Sequence, residues 1–161
     1  MLDIFNRLKP FFEDTAAEIS VRQYAKSIRV SPPTASKVLK ELHKENLLLA
    51  RSQGVYDFYR AHKESPLFKD LAAAFWRNLL GTVLRDIHES LLFKPIILFG
   101  SIRKAENTKE SDIDLFVDIP HRQVEVVPLQ KKLGRKVQLH FRDSLKNSYL
   151  KENIARGITI L

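Results

Sequence analysis

Apolar positions in the first part of the chain recur at helical spacing in two short blocks. Val21, Tyr24, Ala25 and Ile28 form the first block, and Ala35, Val38, Leu39 and Leu42 form the second at i, i+3, i+4 and i+7. Ser20 to Gln23 has the Ser-x-x-Gln form of a capping box, so a helix is predicted from Val21 to about Ile28. Ser31 is a good N-cap, and Pro32 sits at the first helical position, where a missing N–H costs nothing. A second helix is therefore predicted from Pro32 to about Glu45, closed by Asn46, a residue that tolerates the left-handed cap. Leu47 to Ala50 and Val55 to Tyr59 read as two strands around Arg51-Ser52-Gln53-Gly54.

The pattern then changes scale. After Ser65-Pro66 the chain runs without proline to Lys94, and two apolar rows follow i+4 spacing: Leu67, Leu71, Phe75, Leu79 and Val83, then Leu80, Leu84, Ile87 and Leu91. A long helix over about 66–91 is predicted, with Gly81 as a candidate bend. It reads either as a connector that packs both halves and offers a homodimer seam, or as the first helix of the second half. Pro95 to Phe99 is a short continuous apolar run of the buried-strand kind and ends in Gly100-Ser101. About ten residues on, Ser111-Asp112-Ile113-Asp114-Leu115-Phe116-Val117 reads as another strand, and side chains alternate faces along a strand, so Asp112 and Asp114 share one.

Composition narrows the classes. The chain has 161 residues, 44% hydrophobic and 29% charged, which is globular and excludes collagen-like or low-complexity sequence. With no cysteine, disulfides, thiolate metal sites and cysteine nucleophiles are all excluded. The opening MLDIFNRLKPFFED mixes Asp3, Arg7 and Lys9 into its apolar stretch, unlike a secretory signal, and the other apolar stretches are too short to span a bilayer. A soluble cytoplasmic protein without membrane contact is expected.

The net charge of +8 is unevenly spread. Residues 22–63 carry nine bases and three acids, whereas residues 1–21 carry two bases and four acids. The basic block coincides with the paired helices and the hairpin. The segment from Ile19 to Tyr59 resembles the winged-helix regulators of bacteria and archaea. That resemblance implies that the second helix enters the major groove of double-stranded DNA, with Thr34, Ser36, Lys37, Lys40 and Lys44 towards it, while Arg51 and Arg60 of the hairpin meet phosphates.

In the second half, two carboxylates side by side on a buried strand are costly without a positive partner, and Mg²⁺ is the usual one. Gly100 lets the backbone approach a triphosphate, the Ser101 hydroxyl can hold its oxygens, and Lys104 adds charge. LFGSIRKAENTKESDIDLFV resembles the signature of minimal nucleotidyltransferases of the polymerase-beta-like superfamily, and the likeness extends over residues 92–161. It implies an NTP substrate or ligand, Mg²⁺ on Asp112 and Asp114, and in-line transfer of a nucleoside monophosphate. Two departures stand out. Gln138 occupies the place of a third acid and cannot act as a base, with His140 two residues on as a substitute, and Ala105 stands where the family often has glycine. Asp118 and Asp143 lie at strand ends, in capping or solvated places.

The expected architecture is thus two domains: an α+β winged helix-turn-helix over 1–65, a linker helix over 66–91, and a small α/β nucleotidyltransferase-like domain with a short mixed sheet over 92–161. The expected function is a DNA-binding transcriptional regulator whose second domain binds NTP and Mg²⁺ but has lost turnover at Gln138. The alternative is an active transferase that adds a nucleoside monophosphate to a protein, RNA or small-molecule hydroxyl.

Overall fold

The structure, a computed structural model, describes residues 3–145 and 148–161. The chain divides into two compact units. The first comprises the chain up to Ala72 together with Ala105–Lys109, and the second comprises Ala73–Lys104 and Glu110–Leu161.

In the first unit the order is α1 (Asp3–Glu13), β1 (Ile19–Ser20), α2 (Val21–Ile28), α3 (Pro32–Lys44), β2 (Leu48–Gln53) and β3 (Tyr56–Ala61), followed by the start of α4 (Pro66–Val83). The capping box forms as the spacing predicts: the Gln23 N–H donates to Ser20 Oγ at 3.3 Å, and the Ser20 N–H donates to Gln23 Oε1 at 2.9 Å. Ser31 caps α3 by accepting from the Thr34 N–H at 3.3 Å, and Asn46 takes a left-handed φ of 60° two residues past the last helical one. The apolar stripe Ala35, Val38, Leu39 and Leu42 is buried.

The three strands pair antiparallel in the order β1-β3-β2. Gln53 pairs with Tyr56, so the β2–β3 turn is only Gly54-Val55, with Gly54 at φ 61°. That is the arrangement in which glycine at the first central position matches the twist of the flanking strands. β2 runs three residues further towards the tip than alternation predicts, whereas β3 starts one residue later, at Tyr56, and extends two residues further at its other end, to Ala61. α1 lies outside the sequence-predicted elements; it buries Phe5, Leu8, Phe11 and Phe12 on one face and contains Pro10. Its last carbonyls have a dedicated partner. Asn107 Nδ2 donates to Phe12 O and Glu13 O, both at 3.0 Å, while the Thr15 N–H and hydroxyl both donate to Asn107 O at 2.9 Å. Burial pushes the Tyr24 phenol well above its usual range, and the neutral hydroxyl donates to Arg7 O at 2.8 Å.

In the second unit α4 ends at Val83, and after a break at Leu84 come α5 (Arg85–His88) and a short 3₁₀ turn over Glu89–Leu91. Gly81 lies inside α4 without ending it. Then follow β4 (Ile96–Phe99), α6 (Gly100–Lys104), β5 (Ile113–Val117), α7 (Val127–Leu133), β6 (Val137–Phe141), α8 (Ser148–Ala155) and β7 (Ile158–Thr159). The four strands form a mixed sheet in the order β6-β5-β4-β7, in which β5 and β6 are parallel and the other pairs antiparallel. The parallel pair needs a crossover, and α7 supplies it. Phe99, Phe116 and Ile154 form a buried cluster against which Ile97, Leu145 and Leu150 pack. No helix among the described residues is long and apolar enough to cross a membrane.

Candidate functional site

Gly100 follows β4 directly and takes φ 78°, a left-handed value that L side chains rarely adopt. In the ladder Phe99 pairs with Asp114, so the turn at the end of β4 lies beside the first residues of β5. The Asp114 carboxylate packs against the glycine itself: a Cβ added to Gly100 would lie 2.6 Å from Asp114 Oδ2. Asp112 immediately precedes β5, and the Asp112 and Asp114 side chains keep 31% and 25% of their surface, enough to meet a ligand. Ser101 and Lys104 lie on α6, and Lys104 Nζ sits over the Tyr149 ring, 5.7 Å from its centroid. Ala105 takes φ 57° just after α6, which accounts for the preference for glycine at that place.

The parallel register sets what faces the carboxylates. Asp114 pairs with Gln138 and Ile113 with Val137, so Lys136, Gln138 and His140 alternate along the same face as Asp112 and Asp114. Gln138 Nε2 donates to Asp112 Oδ2, and Lys136 Nζ lies 3.6 Å from that same oxygen. His140 Nε2 lies 3.3 Å from Asp114 Oδ1, with its ring edge-on to Phe99 at 5.1 Å. Lys136 was not among the residues singled out from sequence, although the period-two run of polar residues at 136, 138 and 140 carries the signal. Arg135, between α7 and β6, donates from Nη1 to Ser111 O at 2.8 Å while its guanidinium lies over Trp76. Asp118 and Asp143 do other work: Asp118 pairs with Arg142 at 2.8 Å, and Asp143 accepts the His121 N–H at 2.7 Å.

No group of three His, Asp or Glu side chains converges as a metal site among the described residues. Mg²⁺ does not require one. It is commonly held by one or two carboxylates, with waters and substrate phosphates completing its shell, and Asp112 and Asp114 fit that donor set.

In the first unit, Lys37, Lys40 and Lys44 are exposed on α3, and with Pro33, Ser36 and Glu41 they line one shallow depression of about 440 Å³. The Thr34 hydroxyl is 2.8 Å from Ser31 Oγ, within the helix cap. On the hairpin, Arg51 faces Phe58 and Arg60 faces Leu49, so both arginines lie on the sheet face away from the buried Leu48 and Tyr59. Arg51 is already committed: its Nη2 meets Glu18 Oε2 at 2.7 Å and its Nε meets Glu18 Oε1 at 3.3 Å. Those hydrogen bonds hold the Glu18 carboxyl below the usual carboxylate range.

The second unit is thus a small mixed α/β domain with paired carboxylates set against a glycine-serine turn. Residues 83–161 match the family described as "Nucleotidyltransferase domain". Two proteins of Methanocaldococcus jannaschii, each carrying the name "Putative protein adenylyltransferase", are similar to about half of this chain. One is 39% identical over 84 residues, covering 47% of this chain and 81% of the relative; the other is 32% identical over 88 residues, covering 51% and 90%. The chain belongs to the nucleotidyltransferase-domain family. No solved structure matches it.

Proposed function

We propose that the second unit is an active nucleotidyltransferase that moves a nucleoside monophosphate from an NTP to a hydroxyl of a protein. The observation that carries this reading is the Asp112–Asp114 pair packed against Gly100. The names of the relatives support a protein acceptor and an adenylyl donor. They move the balance from a nucleotide-binding regulator without turnover towards transfer.

In this reading the acceptor oxygen attacks the α-phosphorus in line, the bond to the β-phosphate oxygen breaks, and pyrophosphate departs. Asp112 and Asp114 hold Mg²⁺, which when bound offsets the charge of the phosphates. The backbone N–H groups of the Gly100-Ser101 turn, with the Ser101 hydroxyl beside them, receive phosphate oxygens. Gln138 is an amide without a basic lone pair, and His140 Nε2 is turned to Asp114 Oδ1, so the hydroxyl proton leaves to solvent. Much of the catalytic effect comes from positioning and charge, which reduces the demand for a dedicated base.

The test is to incubate the full chain with α-labelled ATP, Mg²⁺ and candidate protein acceptors. Covalent label on an acceptor, with pyrophosphate released in equal amount, is the expected result; pyrophosphate without label, or neither, overturns the reading. Gly100→Ala should lower the rate about 100-fold while shifting stability by only about 1–2 kcal/mol. The added Cβ displaces the Asp114 carboxylate, and misplacement of that order costs such a factor. Initial rates beside a thermal melt check this.

A second reading concerns the first unit, which we infer to be a winged helix that binds duplex DNA. Its support is the exposed row of Lys37, Lys40 and Lys44 beside Ser36 on α3, preceded by a tight turn from α2 and followed by the hairpin. A role in transcription rests on this second reading. Replacing the three lysines by alanine should flatten the slope of log affinity for duplex DNA against log salt by roughly 2–3, since each phosphate contact contributes about 0.9. Fluorescence anisotropy over a salt series measures it, and an unchanged slope removes the DNA reading. Arg51, bound to Glu18, should contribute less than Arg60.

A further inference from the structure

We propose that the transferase site of this chain takes a single divalent cation, held by Asp112 and Asp114, and that Gln138 is the residue that keeps a second one out. The inference rests on the transferase reading and concerns how the facing strand is built.

Three side chains of β6 and its approach meet the carboxylates: Lys136, Gln138 and His140. None of them brings negative charge. Gln138 turns an N–H rather than an oxygen towards Asp112, so it occupies Asp112 Oδ2, the oxygen that Lys136 also approaches. His140 occupies Asp114 Oδ1. β6 and its approach therefore engage one oxygen of each carboxylate, Asp112 Oδ2 and Asp114 Oδ1, while Asp114 Oδ2 lies on the Gly100 side of the pair.

The charge count points the same way. One divalent ion neutralises two carboxylates. A second, about 3.5–4 Å from the first as in two-metal sites, would repel it four times as strongly as one unit charge repels another at that distance. A two-metal site offsets that repulsion with further carboxylates. Here the place for one holds a neutral amide, and the ammonium of Lys136 lies 3.6 Å from Asp112 Oδ2. Gln138 also marks the simplest way to alter the count. Its amide already reaches Asp112, so the isosteric Gln138→Glu would set a third carboxylate at hydrogen-bonding range without moving the strand.

The experiment uses the full chain, Mn²⁺ as a paramagnetic stand-in for Mg²⁺, and an ATP analogue with a methylene bridge between the α- and β-phosphorus. Electron paramagnetic resonance counts bound Mn²⁺ per chain at saturation. The expected result is one Mn²⁺ for the natural sequence and two for Gln138→Glu. Without metal the variant should melt lower than the natural sequence, because three carboxylates repel, and Mn²⁺ should restore it. Gln138→Asp, with shorter reach, supplies the count where the glutamate variant fails to fold. Two Mn²⁺ on the natural sequence, or one on every variant, overturns the inference while leaving the transferase reading standing. No Mn²⁺ on the natural sequence with the analogue bound overturns both.

Discussion

Replacing Asp112 and Asp114 together by alanine is expected to lower nucleotidyl transfer by about three orders of magnitude or more while leaving the melting temperature unchanged or raised. The activity term follows from the role proposed for the pair. Charge stabilisation by a bound cation is worth several kcal/mol in the transition state, and each 1.36 kcal/mol is a factor of ten in rate. The stability term follows from what surrounds the pair. Both side chains are about one-quarter to one-third exposed, so Gln138, Lys136 and His140 can turn to water once the carboxylates are gone. Two neighbouring negative charges are removed, and the repulsion between them goes too. Residues kept for chemistry commonly show this opposition between activity and stability. Label transfer and a thermal melt on the same preparation check both halves. A large fall in melting temperature would mean that the pair serves the fold.

Gly157→Ala is expected to do the reverse, destabilising the second unit by about 3 kcal/mol without touching the site. Its backbone runs close to β4: a Cβ there would lie 2.4 Å from Ile97 Cγ2 and 2.9 Å from both Leu98 O and Ile154 O. Two of the three obstacles are backbone carbonyls that cannot rotate away. Leu98 also belongs to the β4 ladder, where it pairs with both Leu115 and Ile158. Relief therefore requires the turn between α8 and β7 to move outward and the short β7 pairing to be lost, which places this case at the upper end of overpacking costs. Chemical denaturation of the variant measures it. A loss under 1 kcal/mol would mean that β7 is loosely held.

The parts of the structure visible in the sequence are those specified by neighbouring residues. Ser20 with Gln23, and Ser31 with Pro32, mark two helix starts because caps are satisfied within one turn. The glycine-serine turn and the Asp-x-Asp strand are legible for a similar reason: both express backbone freedom and strand alternation over a few residues. α1 is harder to see, because Pro10 interrupts the pattern and the helix is held by buried Phe5, Leu8, Phe11 and Phe12. β2 outruns its apolar alternation because Arg51 to Gln53 are exposed and ladder hydrogen bonds alone extend the pairing, and β3 extends to Arg60 and Ala61 by pairing with Leu49 and Leu48. The break at Leu84 has no glycine or proline to announce it, whereas Gly81 lies inside the helix. Lys136 becomes part of the site only through the register between β5 and β6, which neither strand specifies alone.

Asn107 carries a consequence for how the chain is made. It is 1% exposed and closes the carbonyl end of α1 within a unit whose residues, apart from Ala105–Lys109, all precede Ala73. At ribosomal rates of about 5–20 residues per second, the stretch from Ala73 to Ala105 takes roughly two to seven seconds to emerge. During that interval the hydrogen bonds of the Thr15 hydroxyl, Phe12 O and Glu13 O to Asn107 cannot form. The amino-terminal unit is thus begun early in translation and completed late, when residues flanked on both sides by the transferase sequence leave the ribosome.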